Sequence, residues 1–348
     1  MTARPVVAAA FAAALTAWGG TAAADQLPGW AAAMASGNDR LALYALERAR
    51  PAGSEMYRAN MARRLGALHP DGGGLVLLGR QADVWPILSW SRNFNGGVPG
   101  STIMIGDLEW TIDDADRARS GIVIGGGAGA VARFSYARGS VLTAGVSASV
   151  STLAGEGISR SEAGASLCAS QHLRGFVWLD GCAALVGARQ SGRDDVVERS
   201  LSLTPVVVTH LGNVDQQFSA TLRRKMRNDY NQNSLSVDWT GAIPDLGALS
   251  FGVEGAQRVQ GQNTVLRGMR AGLARPVAGR MIRVQASWYE TGGSAIFGTA
   301  RTDRVASLSA ETVATPWLAV SATIGRRDSN FDTYDEMLGG VGLRWLRR

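Results

Sequence analysis

Residues 142–150 have the sequence LTAGVSASV, in which apolar residues alternate with small or polar ones. Leu142, Val146 and Val150 share one face of an extended chain, because successive side chains of a β-strand point to opposite sides. Three further stretches alternate in the same way, at residues 235–240, 265–275 and 282–288. The alternating segments run for about 10 to 13 residues, which suits a tilted strand crossing a membrane better than a soluble sheet.

The same rhythm, counted back from the C-terminus, predicts fourteen strands. They are expected near residues 337–347, 316–326, 302–314, 279–291, 264–275, 247–258, 231–242, 215–226, 198–210, 174–188, 161–172, 139–151, 119–136 and 84–94. Short and long connections alternate between them, as in bacterial outer-membrane barrels. The sequence therefore predicts an all-β transmembrane barrel of about fourteen antiparallel strands over residues 83–348, in the bacterial outer membrane with both termini in the periplasm.

Residues 95–118 do not fit this rhythm. They are long for a turn and strand-like at 103–112, so we expect the first outer loop here, folded as a ribbon of its own. A soluble β-sandwich is the alternative for the whole region. It would need an apolar interior, and neither face of the hairpin at 161–188 is rich in large apolar residues.

The segment before the barrel, residues 25–82, predicts helices and a periplasmic location. Asn38 or Asp39 can cap one helix and Ser54 a second, and apolar residues recur at helical spacing after each cap. This arrangement is typical of one hairpin of a tetratricopeptide array, and a periplasmic linker with nascent helix is the alternative. Residues 1–24 have one basic residue, a short apolar stretch and a terminal Ala22-Ala23-Ala24, which predicts a secretory signal peptide.

Composition agrees with this class of protein. Glycine accounts for 44 of 348 residues and proline for only 10, which is usual where alternate strand positions face a lumen. The net charge of +6 comes from arginine, since Lys225 is the only lysine. This bias indicates either the base composition of the genome or a preference for anionic lipid such as lipopolysaccharide. Nothing in it predicts a nucleic-acid partner.

The two cysteines, Cys168 and Cys182, fall on a hairpin centred on Gly175. They can be directly opposed and would then point to the same face, the lumen. A cross-strand disulfide can form if the Cα atoms meet the spacing that this bond requires. Two separate thiols in place of serine or alanine are the alternative.

A ladder of lumen charges is expected near the middle of the barrel. Arg223, Lys225 and Arg227 fall on one face of a strand, with Glu198 on the strand before and Asp238 on the strand after. Such a ladder can hold the barrel wall together, or it can guide an anionic passenger or solute. Aromatic residues near strand ends predict interfacial girdles; they are Trp85, Trp90, Trp178, Trp239, Trp288, Tyr289, Trp317 and Trp345.

No catalytic, metal or cofactor site is predicted. Gly125, Gly127 and Ala130 imitate a dinucleotide fingerprint, but a strand follows them where that motif needs a helix. The three histidines have no ligand at metal spacing, and nucleophile motifs are absent. We therefore expect a protein that is not an enzyme.

Both ends of the predicted barrel carry more specific motifs. The opening has PILSWSRNFN at 86–95, IGDL at 105–108 and SG at 120–121, and the close has RRDSN at 326–330, YD at 334–335 and GVGLRW at 340–345. Their distinctive residues are Asn93, Asn95, Asp328, Ser329, Asn330, Tyr334 and Asp335. These motifs resemble the two ends of the surface lipoprotein assembly modulator (Slam) barrel, and between them only the strand rhythm is similar.

The resemblance implies a fourteen-stranded barrel with a periplasmic tetratricopeptide domain. Its activity would be to move a lipoprotein or small secreted binding protein, often one that captures haem or iron carriers, to the cell surface. It implies this cargo, outer-membrane lipid and lipopolysaccharide, and the barrel assembly machinery as partners, with no catalytic residues or cofactor. Two features depart from the family: the helical part is short, and the chain ends Leu346-Arg347-Arg348 instead of on an aromatic residue.

Two other functions are compatible with the sequence. One is a passive diffusion porin for small solutes. The other is a surface adhesin or receptor that acts through its outer loops, although these loops are mostly about 6 to 12 residues, short for that task.

Overall fold

The computed structural model describes residues 27–105, 107–296, 298–315 and 318–345. The predicted signal peptide, residues 1–24, lies outside the described residues. In the described chain, three short helices precede sixteen β-strands, and fourteen of those strands form one sheet.

The fourteen strands are antiparallel, and each is hydrogen-bonded to the next in chain order, which confirms the predicted barrel. Their bounds are β1 (Val76–Ser91), β4 (Gly121–Ala137), β5 (Ser140–Leu153), β6 (Ser159–Arg174), β7 (Val177–Gln190), β8 (Val196–Leu211), β9 (Val214–Arg227), β10 (Asn231–Ile243), β11 (Gly247–Ala256), β12 (Thr264–Val277), β13 (Arg280–Ile296), β14 (Thr299–Thr315), β15 (Leu318–Ser329) and β16 (Glu336–Trp345). Every predicted strand overlaps one of these.

The first strand differs most from its prediction. It begins at Val76, so the predicted boundary between a helical segment ending at 82 and a barrel starting at 83 is wrong. Pairing with β4 shows the reason: Arg80 and Ala82 share the outer face, while Gln81 and Asp83 share the inner one. Neither face of this half-strand is apolar, so it carries no hydrophobic alternation that the sequence could reveal.

The barrel has its large apolar side chains on the outside. On β5, Val146 and Val150 point outward and are 59% and 58% exposed, while serine, threonine and glycine point inward. An apolar outer face and a polar interior are what a barrel in lipid requires, and a soluble sandwich would have the reverse. The chain is therefore a transmembrane β-barrel of the outer-membrane kind.

The two ends of the barrel differ in their connections. One end has short turns, such as those at Arg138-Gly139 and Gly212-Asn213, and also carries the helices and the end of β16. We call it the helix end. The opposite end, the loop end, has the longer connections, including residues 92–120.

Residues 92–120 contain a ribbon, as the sequence predicted. Strands β2 (Thr102–Ile105) and β3 (Leu108–Thr111) form a two-stranded antiparallel hairpin. A single 3-10 turn at Asp114–Asp116 follows, and the chain then enters β4.

Three helices precede β1. They are α1 (Gly29–Ala35), α2 (Asp39–Ala49) and α3 (Glu55–Arg64). The Asn38 side chain accepts hydrogen bonds from the backbone N–H groups of Arg40 and Leu41, which caps α2 at the predicted position.

None of the helices in the described part of the chain is long and apolar enough to span a membrane.

The sheet has two edges, β1 and β16, which lie side by side. A Cβ atom built on Gly340 of β16 would lie 3.7 Å from the carbonyl oxygen of Trp90 on β1. No hydrogen-bonded ladder joins these two strands among the described residues. Pro86 in β1 agrees with an edge position, because proline lacks the N–H that a central strand donates on both sides.

Candidate functional site

The lumen at the helix end has an apolar floor, unlike the rest of the interior. Its buried side chains come from strands and helices together: Trp178, Val206, Val208 and Ala242 from the wall, and Ala32, Ala33, Leu41 and Ala45 from α1 and α2. Leu41 is fully buried, and burying a leucine contributes about 1.5 to 3 kcal/mol. Helices α1 and α2 therefore dock inside the barrel mouth instead of extending away from it.

Arg40 on α2 fixes the docked helices to the barrel wall. Its Nη1 and Nη2 atoms donate to the two carboxylate oxygens of Asp180 on β7, at 2.8 and 2.7 Å. Nη2 also donates to Ser170 Oγ on β6 at 2.5 Å. The Arg40 side chain is only 13% exposed. A bidentate arginine–carboxylate pair in this setting is strong and sets the orientation of the helix.

A second anchor lies near the end of α2. Arg48 Nε donates to Asp215 Oδ1 on β9 at 2.9 Å, and His210 Nδ1 on β8 lies 2.8 Å from the same oxygen. The Asp215 side chain is 7% exposed, whereas that of Arg48 is 47% exposed. The carboxylate is buried and has two partners, so this anchor depends less on its arginine than the first one does.

The segment after α3 is pinned to the turn between β4 and β5. The backbone N–H of Gly139 donates to the Gly66 carbonyl at 2.9 Å. Gly66 has a positive φ of 72°, and a Cβ there would meet Ser135 Oγ at 2.8 Å. Only glycine suits both the backbone conformation and the close approach. The helical segment thus contacts the wall from β4 to β9.

The two cysteines lie beside the first anchor. Cys168 and Cys182 are opposite each other on β6 and β7, with Cα atoms 4.1 Å apart, and are joined by a disulfide. Both face the lumen, since Cys168 pairs with inward-facing Thr143. Ser170 and Asp180, which hold Arg40, form the next inward-facing pair of the same ladder. The disulfide therefore fixes the register of the hairpin that carries the anchor.

The predicted charge ladder is brought together only in part. Lys225 Nζ lies 3.4 Å from Glu198 Oε1, and Arg227 Nε lies 3.5 Å from Asp229 Oδ1. Asp238 lies opposite Ser219, and it pairs with Arg270 from β12 instead of with the cations of β9. Arg223 lies opposite Ser202 and Ser234. The sequence gave the correct face but could not give the cross-strand register.

The loop end is crossed by residues 92–120, and Asn95 holds this loop in place. Its Nδ2 donates to the Arg117 carbonyl at 2.7 Å, and its Oδ1 accepts from the backbone N–H of Arg119 at 2.8 Å and of Gly97 at 3.3 Å. Gln190 Nε2 at the top of β7 donates to the Asn95 carbonyl at 2.9 Å. Asn93 makes a smaller contribution, with Nδ2 donating to the Gly97 carbonyl.

The same loop also has an ion pair of its own. Arg119 donates to the Asp114 carboxylate at 2.5 Å. This hydrogen bond and the attraction of the carboxylate raise the pKa of Arg119. The guanidinium is therefore charged throughout the physiological range and braces the base of the loop.

The motif residues of the last strands meet this loop. Ser329 Oγ donates to Asp303 and its backbone N–H donates to Asp335, both at 2.7 Å. Asn330 bonds the backbone of residues 300 and 302, and Arg301 stacks 3.6 Å from the ring centroid of Tyr334. Thr333 Oγ1 donates to the Thr102 carbonyl of β2 at 2.9 Å. The two end motifs, distant in sequence, thus contact each other at the loop end, while Asp328 pairs with Arg326.

The predicted aromatic girdle is only partly correct. Trp90, Trp239 and Trp288 point outward by their strand pairing, as a girdle requires. Trp85 points inward, where its ring lies against Gly127, and a Cβ there would approach it to 2.5 Å. Trp178 also points inward, into the apolar floor.

The other three girdle positions complete this comparison. Tyr289 faces inward opposite Gly268. Trp317 lies outside the described residues, as does the side chain of Trp345. Several tryptophans therefore mark the interior of the barrel, because an aromatic residue near a strand end can point to either face.

Sequence reasoning missed the anchors at the helix end. Arg40, Asp180 and Asp215 stand apart in the sequence, and no local motif joins them. The inward face of Asp180 was a usable signal, because an acidic residue two positions from a lumen cysteine needs a partner. In the described part of the chain, no group of three or more His, Cys, Asp or Glu residues could hold a metal ion.

Comparisons with known proteins extend only to the fold. No protein-family model and no curated protein matches the sequence. Solved structures with a similar fold include OprB of Pseudomonas putida, which is 9% identical with a TM-score of 0.45 and covers 77% of this chain and 94% of its own. CdiB of Acinetobacter baumannii is 11% identical with a TM-score of 0.43, covering 75% of this chain and 59% of its own. OpdK of Pseudomonas aeruginosa, solved with vanillate, is 10% identical with a TM-score of 0.41, covering 78% and 99%.

Similarity at this level carries no argument about function. The barrel itself rests on the strand pairing described above, and the Slam resemblance rests on the end motifs.

Proposed function

We propose that this chain is an outer-membrane translocator that moves a lipoprotein or small secreted binding protein to the cell surface. The helix end would face the periplasm and the loop end the exterior, since short turns face the periplasm in bacterial barrels. Both termini would then be periplasmic, as the sequence predicted.

The observation that carries the proposal is the docking of α1 and α2 inside the mouth at the helix end. A passive pore conducts whenever solute is present, whereas a lumen occupied by docked helices conducts freely only after they move. The docking uses both an apolar floor and the buried Arg40–Asp180 pair. A regulated passage suits a large cargo, because an opening wide enough for a polypeptide would otherwise leak small solutes.

The lumen wall is suited to polypeptide passage. The inward face of β5 carries Thr143, Ser147 and Ser149, and the opposite wall carries charges such as Lys225 and Glu198. A hydrated wall of this kind offers little apolar surface to which an extended cargo could adhere.

The end motifs support the same proposal. Asn95, Ser329 and Tyr334, through which the sequence resembles Slam barrels, make the contacts that hold the loop end together. Residues shared with a translocator family therefore lie where an emerging cargo would have to displace a loop.

A porin for small solutes is the second candidate. The wall formed by β4, β5 and β6 is lined by glycine and serine with few charges, and it leaves open space beside the helices. If the helices left a permanent gap, small polar solutes would pass through it.

Surface proteomics of a deletion strain separates the two functions. Deletion should remove one lipoprotein or small secreted protein from the surface and trap it in the periplasm, and the wild-type chain should restore it. The purified full chain should show low conductance in planar bilayers. Unchanged surface proteins together with steady high conductance would favour the porin and reject translocation.

A further inference from the structure

A ring of arginines surrounds the outside of the barrel near the loop end. By their strand pairing these residues point away from the lumen, and all are exposed: Arg189, Arg199, Arg224, Arg267, Arg304 and Arg326. In the described strands, the outward-facing carboxylates are Glu290 and Asp328. The outer surface at this level therefore has an excess of positive charge.

The depth of the ring follows from the apolar band beneath it. On β8 the outward positions from Leu201 to Leu211 are largely apolar, and Arg199 comes next toward the loop end. On β9 the outward positions from Val214 to Leu222 are followed by Arg224. About 10 residues of tilted strand cross the hydrocarbon layer. The arginines thus lie at the level of the lipid headgroups, where a charged side chain is tolerated.

Arg199 and Arg224 form the part of the ring most open to a ligand. Arg199 lies opposite Met226, and Arg224 lies opposite Leu201, so the two arginines are diagonal neighbours on adjacent strands. Long side chains in this relation reach the same point. Neither has a carboxylate partner among the ion pairs of the described residues. Two guanidinium groups side by side can bind one phosphate through paired hydrogen bonds.

A second part of the ring is held ready by a carboxylate. Glu290 lies between Arg267 at 2.9 Å and Arg304 at 3.5 Å. The Glu290 side chain is 12% exposed, whereas the two arginine side chains are 62% and 58% exposed. The carboxylate separates the guanidinium groups and leaves their outer N–H donors free toward the lipid.

We infer that this ring binds the phosphates of lipid A, the lipopolysaccharide anchor in the outer leaflet. The occupant follows from charge complementarity: phosphate monoesters lie at headgroup depth, and arginine forms bidentate contacts with them. The inference rests on the proposed orientation, in which the loop end faces the exterior. Lipid A would fix the height of the barrel in the membrane and surround the loop end with ordered lipid.

Binding of lipid A to the full chain in detergent micelles tests the inference. The double substitution R199Q/R224Q should weaken binding about 25-fold, because each arginine near an anionic lipid surface contributes about fivefold. R80Q/R275Q removes two outward arginines near the helix end and should leave the affinity unchanged. Dephosphorylated lipid A should bind all variants equally weakly.

A charge-retaining variant guards against an effect of folding. R199K/R224K should fold and retain part of the affinity, since lysine keeps the charge but loses the bidentate geometry. Equal loss in R199Q/R224Q and R80Q/R275Q, or equal binding of phosphorylated and dephosphorylated lipid A, would overturn the inference. So would equally tight binding to phosphatidylglycerol vesicles. No cargo takes part in this measurement, so its failure is distinguishable from failure of the translocation proposal.

Discussion

The two mouths of this barrel are closed by different physical means. At the helix end, α1 and α2 bury apolar side chains against Trp178 and Val206 and add a buried ion pair. At the loop end, residues 92–120 are held mostly by hydrogen bonds between polar side chains and backbone, centred on Asn95.

This difference indicates how each mouth opens. Hydrogen bonds at a wet surface exchange with water at a net cost of about 0.5 to 1.5 kcal/mol each. Apolar burial has no such replacement, because the exposed surface must be hydrated. The loop end should therefore open often and locally, whereas the helix end should open rarely and as one unit.

The largest effect is expected at the helix end. Asp180→Ala leaves the Arg40 guanidinium without its carboxylate in a largely buried position, which should weaken docking by about 2 to 3 kcal/mol. The undocked fraction should then rise roughly 30-fold to 150-fold. Single-channel recordings should show correspondingly more frequent or larger openings.

A matched control uses a second ion pair between the helical segment and the barrel. Arg138 and Asp71 are 2.8 Å apart, but their side chains are 66% and 87% exposed. Asp71→Ala should change docking by less than about 0.5 kcal/mol, since exposed pairs contribute little. Equal conductance changes in the two variants would contradict the idea that burial of the first anchor matters.

A smaller effect is expected at the loop end from Asn95→Ala. This change removes the side-chain bonds to residues 97, 117 and 119, and should weaken loop closure by about 1 to 2 kcal/mol. Trypsin cleavage after Arg117 or Arg119 should accelerate about fivefold to 30-fold. Asn93→Ala, which removes one bond, is the control and should accelerate it less. An unchanged cleavage rate would show that the loop is held elsewhere.

The smallest effect is expected from Arg48→Gln at the second anchor. The arginine is 47% exposed and His210 still contacts Asp215, so docking should weaken by no more than about 1 kcal/mol. Openings should increase about fivefold at most. A change as large as that of Asp180→Ala would show that the two anchors act as one unit.

Much of the fold was predictable because period-2 alternation is a local property. The stretch LTAGVSASV has its apolar face outward in the structure, as the pattern predicted. The prediction was wrong at residues 76–82, where both faces of β1 are polar or small. It was also wrong for Trp85 and Trp178, because proximity to a strand end does not determine the face.

The candidate site was less predictable. The charge ladder had the correct face, yet Asp238 pairs with Arg270, since cross-strand partners depend on register and on the curvature of the barrel. Arg40 and Asp180 are far apart in the sequence, so no pattern could join them.

The sequence by itself determined the number of strands, their faces and the positions of the long connections, because alternation and turn chemistry act between near neighbours. Only the tertiary structure decided that the N-terminal helices occupy the lumen and that the two end motifs meet at the loop end. Those outcomes depend on closure of the sheet, which brings β1 beside β16 and gives the helices an enclosed apolar floor. Closure is a property of the whole chain, and no segment of the sequence carries it.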